Sequence, residues 1–124
     1  MTKTLTNEEI LRPSPRRYDT ADWIGGQVRL QSLTDGEMRR LRASFIDRQG
    51  KPIEERSKRD RVILLCWCLV DDEGRRLFAD EDALSPTWDD VDGGVIKAAY
   101  EKAMRLTGFA ADWDWSAVGA AVKN

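Results

Sequence analysis

The stretch from Cys68 to Asp82, CLVDDEGRRLFADED, holds the side chains of this sequence whose types and spacing could do chemistry. Its acids and its central Gly74 raise two possibilities, a calcium-binding loop and a pair of catalytic carboxylates. An EF-hand loop has glycine at its sixth position and an oxygen ligand at its first. With Gly74 in sixth place the first position is Leu69, whose side chain cannot bind calcium. The spacing therefore argues against a calcium loop.

Acid–base catalysis is the second possibility, because Asp71, Asp72, Glu73 and Asp80 lie close together in the sequence. A catalytic acid needs an apolar pocket that raises its pKa above that of its neighbour. Nothing in the sequence indicates such a pocket, and runs of acids are usually solvated. We predict instead that Asp-Asp-Glu-Gly forms a surface turn at the end of a buried helix, with Gly74 in the left-handed conformation.

Two cysteines, Cys66 and Cys68, lie one residue apart within the apolar run VILLCWCLV. Thiols at this separation do not easily form an unstrained disulfide, and Cys-x-Cys supplies only half of a zinc site. The chain contains no histidine, which excludes Ser-His-Asp and Cys-His catalysis. We predict two reduced thiols packed in the core, and neither a metal nor a cofactor.

Composition narrows the class of protein. The 124 residues are 41% hydrophobic and 34% charged, which suffices for one globular domain with a core. A formal net charge of -2 argues against a nucleic-acid partner. The longest apolar run is far below the roughly 20 residues that cross a bilayer, and the first residues lack the pattern of a secretory signal. We therefore expect a cytoplasmic protein that does not enter a membrane.

The elements that position the acidic stretch are predicted to form one small α+β domain, mainly α, with an N-terminal β-hairpin followed by three to four helices. Residues 1–20 are expected to be a flexible arm, because they contain two prolines and several charges. Residues 21–110 are assigned to the domain. Residues 111–124 are assigned to a C-terminal tail that either packs on the domain or binds a partner.

The first elements carry clear local signals. Gly25-Gly26 separates two short runs of alternating character and predicts a hairpin turn. Thr34, followed three residues later by Glu37, forms a capping box and predicts the start of a helix. The apolar residues on one side of that helix are Met38, Leu41 and Phe45.

A second helix is predicted from about Ile53 to Val70, exposed in its charged first half and buried in its apolar second half. After the turn, the segment RRLFADED is expected to run extended, with Leu77 and Phe78 pointing inward. Asp80 or its neighbours are expected to start another short helix, since acids suit a helix N-terminus.

A third substantial helix is predicted to open with Ser85 as its cap and Pro86 at its first position. Gly93-Gly94 weakens its middle, so a break or a restart is expected there. Gly108 is a natural end for this helix.

Charge is distributed unevenly along the chain. The stretch Arg39 to Arg61 holds nine basic and four acidic residues, whereas Asp71 to Asp92 holds nine acidic and two basic ones. Such a pattern could steer a partner or let identical subunits stack head to tail. The alternative is that both stretches are merely solvated helix faces. Arg39 and Arg40 are the candidate partner contacts on the basic side.

Trp113 and Trp115 are the candidate partner contacts in the tail. Their i, i+2 spacing does not fit one helix face, and tryptophan is favoured at interface hot spots. We hypothesise that the pair contacts a partner or a neighbouring subunit. The alternative is that they cover the core of their own domain.

The order WIGGQVRLQSLTDGEMRRL, LLCWCLVDDEGRRLFADEDAL and KAAYEKAMRLTG resembles the tail assembly chaperones of long-tailed bacteriophages and prophages. The resemblance covers about residues 20 to 108. The region from Trp88 to Gly94, with its tryptophan and its two glycines, departs from it. The residues that carry the resemblance are the capping pair Thr34 and Glu37 and, in the central segment, Leu69, Val70, Asp71, Gly74, Leu77, Phe78, Asp80 and Asp82.

The resemblance implies a protein that is not an enzyme and uses no cofactor. Such chaperones bind the tape-measure protein and help to recruit tail-tube subunits in the cytoplasm of the infected or lysogenic host, and they are absent from the mature virion. The implied partners are the tape-measure protein, the tail-tube protein and a further copy of the chain. A minor tail component that acts as an adaptor is the main alternative, and a small acid–base enzyme is the other.

Overall fold

The hairpin predicted around Gly25-Gly26 is the first half of a three-stranded antiparallel sheet in the computed structural model, which describes residues 2–109. Its strands are β1 (Tyr18–Trp23), β2 (Gly26–Gln31) and β3 (Leu69–Val70), in that spatial order. The helices are α1 (Asn7–Ile10), α2 (Asp35–Ala43), α3 (Glu54–Ser57), α4 (Asp60–Cys68) and α5 (Gly93–Thr107), with 3₁₀ helices at Asp80–Leu84 and Pro86–Asp90. The fold is α+β and mainly α, as the sequence predicts.

One face of the sheet covers the core. Because side chains alternate along a strand, Ala21, Leu30 and Leu69 share this face, and all three are buried. Trp23 and Val28 continue the same face toward the hairpin turn, where they are only partly buried. The turn itself uses Gly25 at a φ of 93°. The apolar face of the hairpin therefore extends beyond the helices that cover its other end.

Helix α2 begins as the capping box predicts. The hydroxyl of Thr34 accepts a hydrogen bond from the Glu37 backbone N–H at 3.2 Å, and the Glu37 carboxylate accepts one from the Thr34 N–H at 2.9 Å. Leu41 and Phe45 are completely buried, and Met38 packs against the core from its edge. The hydrophobic side assigned from the sequence is therefore the side that anchors α2.

The single helix predicted from Ile53 to Val70 was wrong, because the structure divides this segment into α3, α4 and β3. Arg59 leaves the helical conformation between α3 and α4, with φ -113° and ψ 25°. Its guanidinium donates to the backbone carbonyls of Ala83 and Ser85. At the other end Leu69 becomes extended because it pairs with Leu30 on β2.

The charged first half of this segment is also less exposed than predicted. Arg56 donates to the Ser44 hydroxyl at 2.9 Å, and its guanidinium lies over the ring of Phe45. Burial lowers the pKa of Arg56. Aliphatic and planar parts of an arginine can cover apolar surface while its charge stays near solvent, which explains how a charged segment packs here.

Helix α4 is the centre of the core. Every residue from Val62 to Cys68 is buried. Both cysteines are free thiols, as predicted, and burial raises the pKa of Cys66 and of Cys68 to about 12.

Helix α5 packs on α4 and on β1 through Ile96, Ala99 and Ala103. The Lys102 ammonium donates to the Thr20 carbonyl at 2.8 Å, which fixes α5 against β1.

The restart expected at Gly93-Gly94 is confirmed. Ser85 and Pro86 open only a 3₁₀ helix, which ends at Asp90. Helix α5 then begins at Gly93, where the Asp92 carboxylate accepts hydrogen bonds from the N–H groups of Gly94 and Val95. Gly108 ends it with a φ of 86°.

The N-terminal arm joins the sheet earlier than predicted. Residues 18–20 already belong to β1, and Arg17 exchanges hydrogen bonds with Ser32 next to the hairpin. The Arg16 guanidinium forms two hydrogen bonds with the Glu37 carboxylate. Ahead of these contacts α1 is a single capped turn with no buried residue. The tail assigned to residues 111–124 lies outside the described residues.

Candidate functional site

Acids of the stretch from Cys68 to Asp82 build a turn at Asp71–Arg75. The Asp71 carboxylate accepts hydrogen bonds from the N–H groups of Arg75 and Glu73, both at 2.9 Å, and these donors lower its pKa. Gly74 adopts the left-handed conformation, with a φ of 82°, as predicted. Within residues 2–109 no cluster of Cys, Asp and Glu side chains is arranged to hold a metal ion.

The same turn occurs a second time, at Asp47–Lys51. In both turns the aspartate carboxylate accepts from the backbone N–H two and four residues later, and a glycine of positive φ occupies the fourth position. Backbone hydrogen bonds join the first and fifth residues of each turn. The shared spacing is Asp-x-x-Gly-Lys/Arg, a form of tight chain reversal that uses a left-handed glycine. Sequence analysis missed this repeat, although the spacing was visible.

The turn at Asp71–Arg75 is fixed to the hairpin by two side chains of the sheet. The Arg29 guanidinium lies 3.8 Å from the centroid of the Tyr18 ring and donates to the Asp72 carbonyl at 2.8 Å. A Cβ atom at Gly74 would lie 2.8 Å from the Tyr18 hydroxyl. The backbone conformation therefore favours glycine at this position, and a larger residue would also displace the Tyr18 hydroxyl.

The chain that leaves the turn is held by Arg76. Its guanidinium donates to the Cys66 carbonyl and to the Asp80 carboxylate, the latter at 2.9 Å, and lies over the Trp67 ring. The Asp82 carboxylate accepts from the Ala79 N–H at 2.7 Å and starts the first 3₁₀ helix. The short helix expected at Asp80 is thus confirmed. The acids of the resemblance motif act as structural groups.

An open groove of about 630 Å³ lies where this segment passes the turn end of the hairpin. Trp88 is one of its lining residues, and its ring is edge-on to Phe78 at 5.1 Å between ring centroids. The Trp88 indole N–H donates to the Asp82 carbonyl at 3.0 Å, which fixes the ring. The groove is lined by Trp23, Val28, Leu69, Leu77, Phe78, Asp82, Ser85, Thr87, Trp88 and Val91.

The lining of this groove is suited to apolar side chains. Among residues 2–109, Asp82 is the one ionisable residue that lines the groove, so this part of the chain does not supply the second carboxylate that an acid–base pair needs. Leu77, predicted to point inward, is 51% exposed. The prediction was wrong because Leu77 lies on the margin of the groove and outside the closed core. Exposed apolar surface of this kind marks a site for another chain or an apolar ligand.

No protein-family profile, curated protein or solved structure matches this chain. Among the helices of residues 2–109, none is long and apolar enough to cross a membrane.

The structure assigns different places to the residues that sequence analysis singled out. Arg39 and Arg40 are exposed on α2 and do not line the groove; Arg39 forms an ion pair with Asp35 at 3.2 Å. Trp113 and Trp115 lie outside the described residues. The motif residues that do line the groove are Leu69, Leu77, Phe78 and Asp82.

Sequence analysis missed the two tryptophans of the groove, Trp23 and Trp88. Trp88 lies close to a helix cap, in a segment with few other large apolar residues. A large aromatic residue in such a polar segment was the feature of the sequence that could have indicated a binding site. Trp23 looked like an ordinary strand residue. Trp23 is partly exposed because the turn end of the hairpin extends past the helices. The local sequence does not determine how far the helices reach along the hairpin.

Proposed function

We propose that this chain is a phage tail assembly chaperone that binds the tape-measure protein and helps to recruit tail-tube subunits in the host cytoplasm. The observation that carries the proposal is the open apolar groove around Trp88, formed in part by the segment whose residues resemble the family. On this proposal the protein acts by holding other chains and catalyses no reaction.

The client in this proposal is a protein that needs its apolar surface covered before assembly. A long helical protein exposes apolar stripes until its binding partners assemble around it, and uncovered stripes of this kind cause aggregation. An apolar groove with rigid aromatic walls can cover one stripe of a helix, which is a recurrent mode of peptide recognition. Trp88 is already fixed by its hydrogen bond to Asp82, so little side-chain entropy is lost on binding.

Co-expression tests the proposal. The wild-type chain is expected to keep the tape-measure protein, encoded as a very long helical reading frame near the gene, in the soluble fraction. Leu77→Asp should lose this effect, because it places a charge on the apolar margin of the groove. Leu77 is half-exposed, so the variant should still fold, which circular dichroism would verify.

A matched control is Leu11→Asp, the same change at a residue that is 80% exposed in the arm and does not line the groove. This variant should protect the client as well as the wild type. Failure of the wild-type chain to keep the client soluble would overturn the proposal. Presence of the chain in purified, mature particles would favour the adaptor or minor tail component instead.

A further inference from the structure

Segment 77–92 supplies most of the lining residues of the groove and is strongly acidic, and we call its exposed acids the rim. Residues 77–92 contain six acidic residues and no lysine or arginine. All six acidic residues are exposed, and they are Asp80, Glu81, Asp82, Asp89, Asp90 and Asp92. An exposed set of like charges beside an apolar floor selects its partner by charge as well as by shape.

Neighbouring basic residues neutralise only part of this rim. Arg76 pairs with Asp80 at 2.9 Å, and Arg59 pairs with Asp89 at 3.6 Å. Among residues 2–109, Glu81 and Asp90 form no ion pair. Glu81 adjoins the lining residue Asp82, and Asp90 adjoins the lining residue Val91. Lys58 and Arg61 line a second pocket together with Trp88 and Asp89. Negative charge without an ion pair therefore remains at Glu81 and Asp90 and not along the whole rim.

Two parts of this chain itself, the C-terminal tail and the basic stretch 39–61 of a second copy, do not fit the groove. In the tail, Trp113 and Trp115 are accompanied by Asp112 and Asp114, whose charges the rim would repel. The basic stretch 39–61 of a second copy has the right charge. However, the large exposed hydrophobic residues of the described chain lie outside that stretch, so it offers no apolar stripe for the groove.

We propose that the groove binds an amphipathic helix of a partner protein whose apolar stripe is flanked by lysine or arginine. The apolar side chains, three and four residues apart on the helix, would lie on Trp88, Phe78 and Val28. The flanking cations would meet Glu81 and Asp90. This inference rests on the proposed function, since it specifies which segments of a client the chaperone covers.

Peptide binding to the full-length protein tests the charge preference. The probes are three fluorescent peptides of about 18 residues, long enough to form a helix: a leucine–lysine amphipathic helix, its leucine–glutamate counterpart, and a leucine–lysine peptide scrambled to remove the stripe. The first should bind at least about tenfold more tightly than either of the others. Its affinity should fall as the salt concentration rises. Equal or tighter binding of the leucine–glutamate peptide would overturn the inference.

Paired variants locate the binding. Glu81→Lys together with Asp90→Lys should weaken the leucine–lysine peptide by about tenfold or more. The matched control is Glu8→Lys with Glu55→Lys, which makes the same change in net charge at exposed residues that do not line the groove. The control should bind like the wild type. An equal loss in both pairs would show non-specific attraction and overturn the inference.

The outcome is separable from that of the chaperone proposal. If the wild-type chain keeps the tape-measure protein soluble but the leucine–lysine peptide fails to bind, the charge inference is wrong and the chaperone function stands. If the peptide binds as expected but the client stays insoluble, the site for a basic helix stands and the chaperone function is wrong.

Discussion

Gly74 is the residue on which the acidic turn depends most directly. Its φ of 82° disfavours any residue with a Cβ atom, and the Tyr18 hydroxyl would lie 2.8 Å from that atom. We expect Gly74→Ala to lower the free energy of unfolding by about 3 kcal/mol, the sum of the left-handed strain and the overpacking. Urea denaturation of the purified variant measures the change.

Gly25→Ala is the matched control for this prediction, because Gly25 has a φ of 93° and nothing within 4 Å of its missing Cβ atom. It should cost only about 1 kcal/mol of unfolding free energy, from strain alone. Adding Tyr18→Phe to Gly74→Ala should recover part of the loss, because it removes the nearest atom. Equal losses at Gly25 and Gly74 would contradict the packing argument.

Glu37 links pH to stability through its contact with the arm. Hydrogen bonds from Arg16, more than any other contact, lower the pKa of Glu37 from 4.5 to about 2. A carboxylate with a lowered pKa stabilises the fold above its unfolded pKa, and this contribution disappears as the pH falls through its folded pKa. The stabilisation should therefore be complete at neutral pH and should decline between pH 4.5 and about 2.

Comparison with Glu37→Gln isolates this contribution from the other carboxylates. The wild type should exceed the variant in unfolding free energy by about 1 kcal/mol at neutral pH, because solvent screens an ion pair at the surface. The difference should shrink steadily as the pH approaches about 2. Glu55→Gln, the same change at an exposed residue of α3, is the matched control and should have nearly the unfolding free energy of the wild type at neutral pH. A difference between wild type and Glu37→Gln that does not vary with pH would exclude the ionic contact as the cause.

Among the helices and strands, α4 is buried on all sides from Val62 to Cys68. The reactivity of its two thiols provides a measure of that burial. Burial raises the pKa of Cys66 and Cys68 to about 12, and only the thiolate reacts with thiol reagents. We expect both cysteines of the folded protein to react at least about a hundredfold more slowly than in denaturant at mildly alkaline pH. A colorimetric thiol assay with and without urea measures the rates. Rapid reaction of either cysteine in the folded state would contradict the placement of α4.

Elements defined by neighbouring residues were predictable, and those that depend on distant partners were not. The capping box of Thr34, the hairpin glycines and the helix end at Gly108 are all set by residues within a few positions of each other. The break at Arg59 and the strand β3 depend on partners that are far away in sequence, namely the 3₁₀ helices and β2. The pattern of hydrophobic residues within one segment contains no information about such distant partners. It therefore predicts one continuous helix.

For the whole molecule, the tail pair Trp113 and Trp115 provides a test of where partners bind. We expect Trp113→Ala together with Trp115→Ala to weaken client binding while changing the melting temperature little, if the pair contacts a partner. Trp67→Ala serves as the control for a core tryptophan, because Trp67 is buried, and it should lower the melting temperature markedly. A comparable drop for the tail pair would assign those residues to the core.

The groove also depends on the whole molecule, because distant segments of the chain form it. Its walls come from the hairpin, from the start of β3 and from the segment 77–91. Leucines and aromatic residues are expected inside a domain, so the sequence assigned Leu77 to the core. The assembled structure leaves Leu77 on a margin because the helices cover only one end of the hairpin face.

By itself, the sequence determined the α+β class, the hairpin, the start of α2, the end of α5, the buried thiols and the turn at Gly74, because these follow from short-range hydrogen bonding and from the period of apolar residues. Only the tertiary structure decided that the helix predicted from Ile53 to Val70 is divided, that Leu69 and Val70 form a strand, and that Trp23, Phe78 and Trp88 meet in one groove. These depend on contacts between segments tens of residues apart, whose mutual fit is fixed only when the whole chain packs.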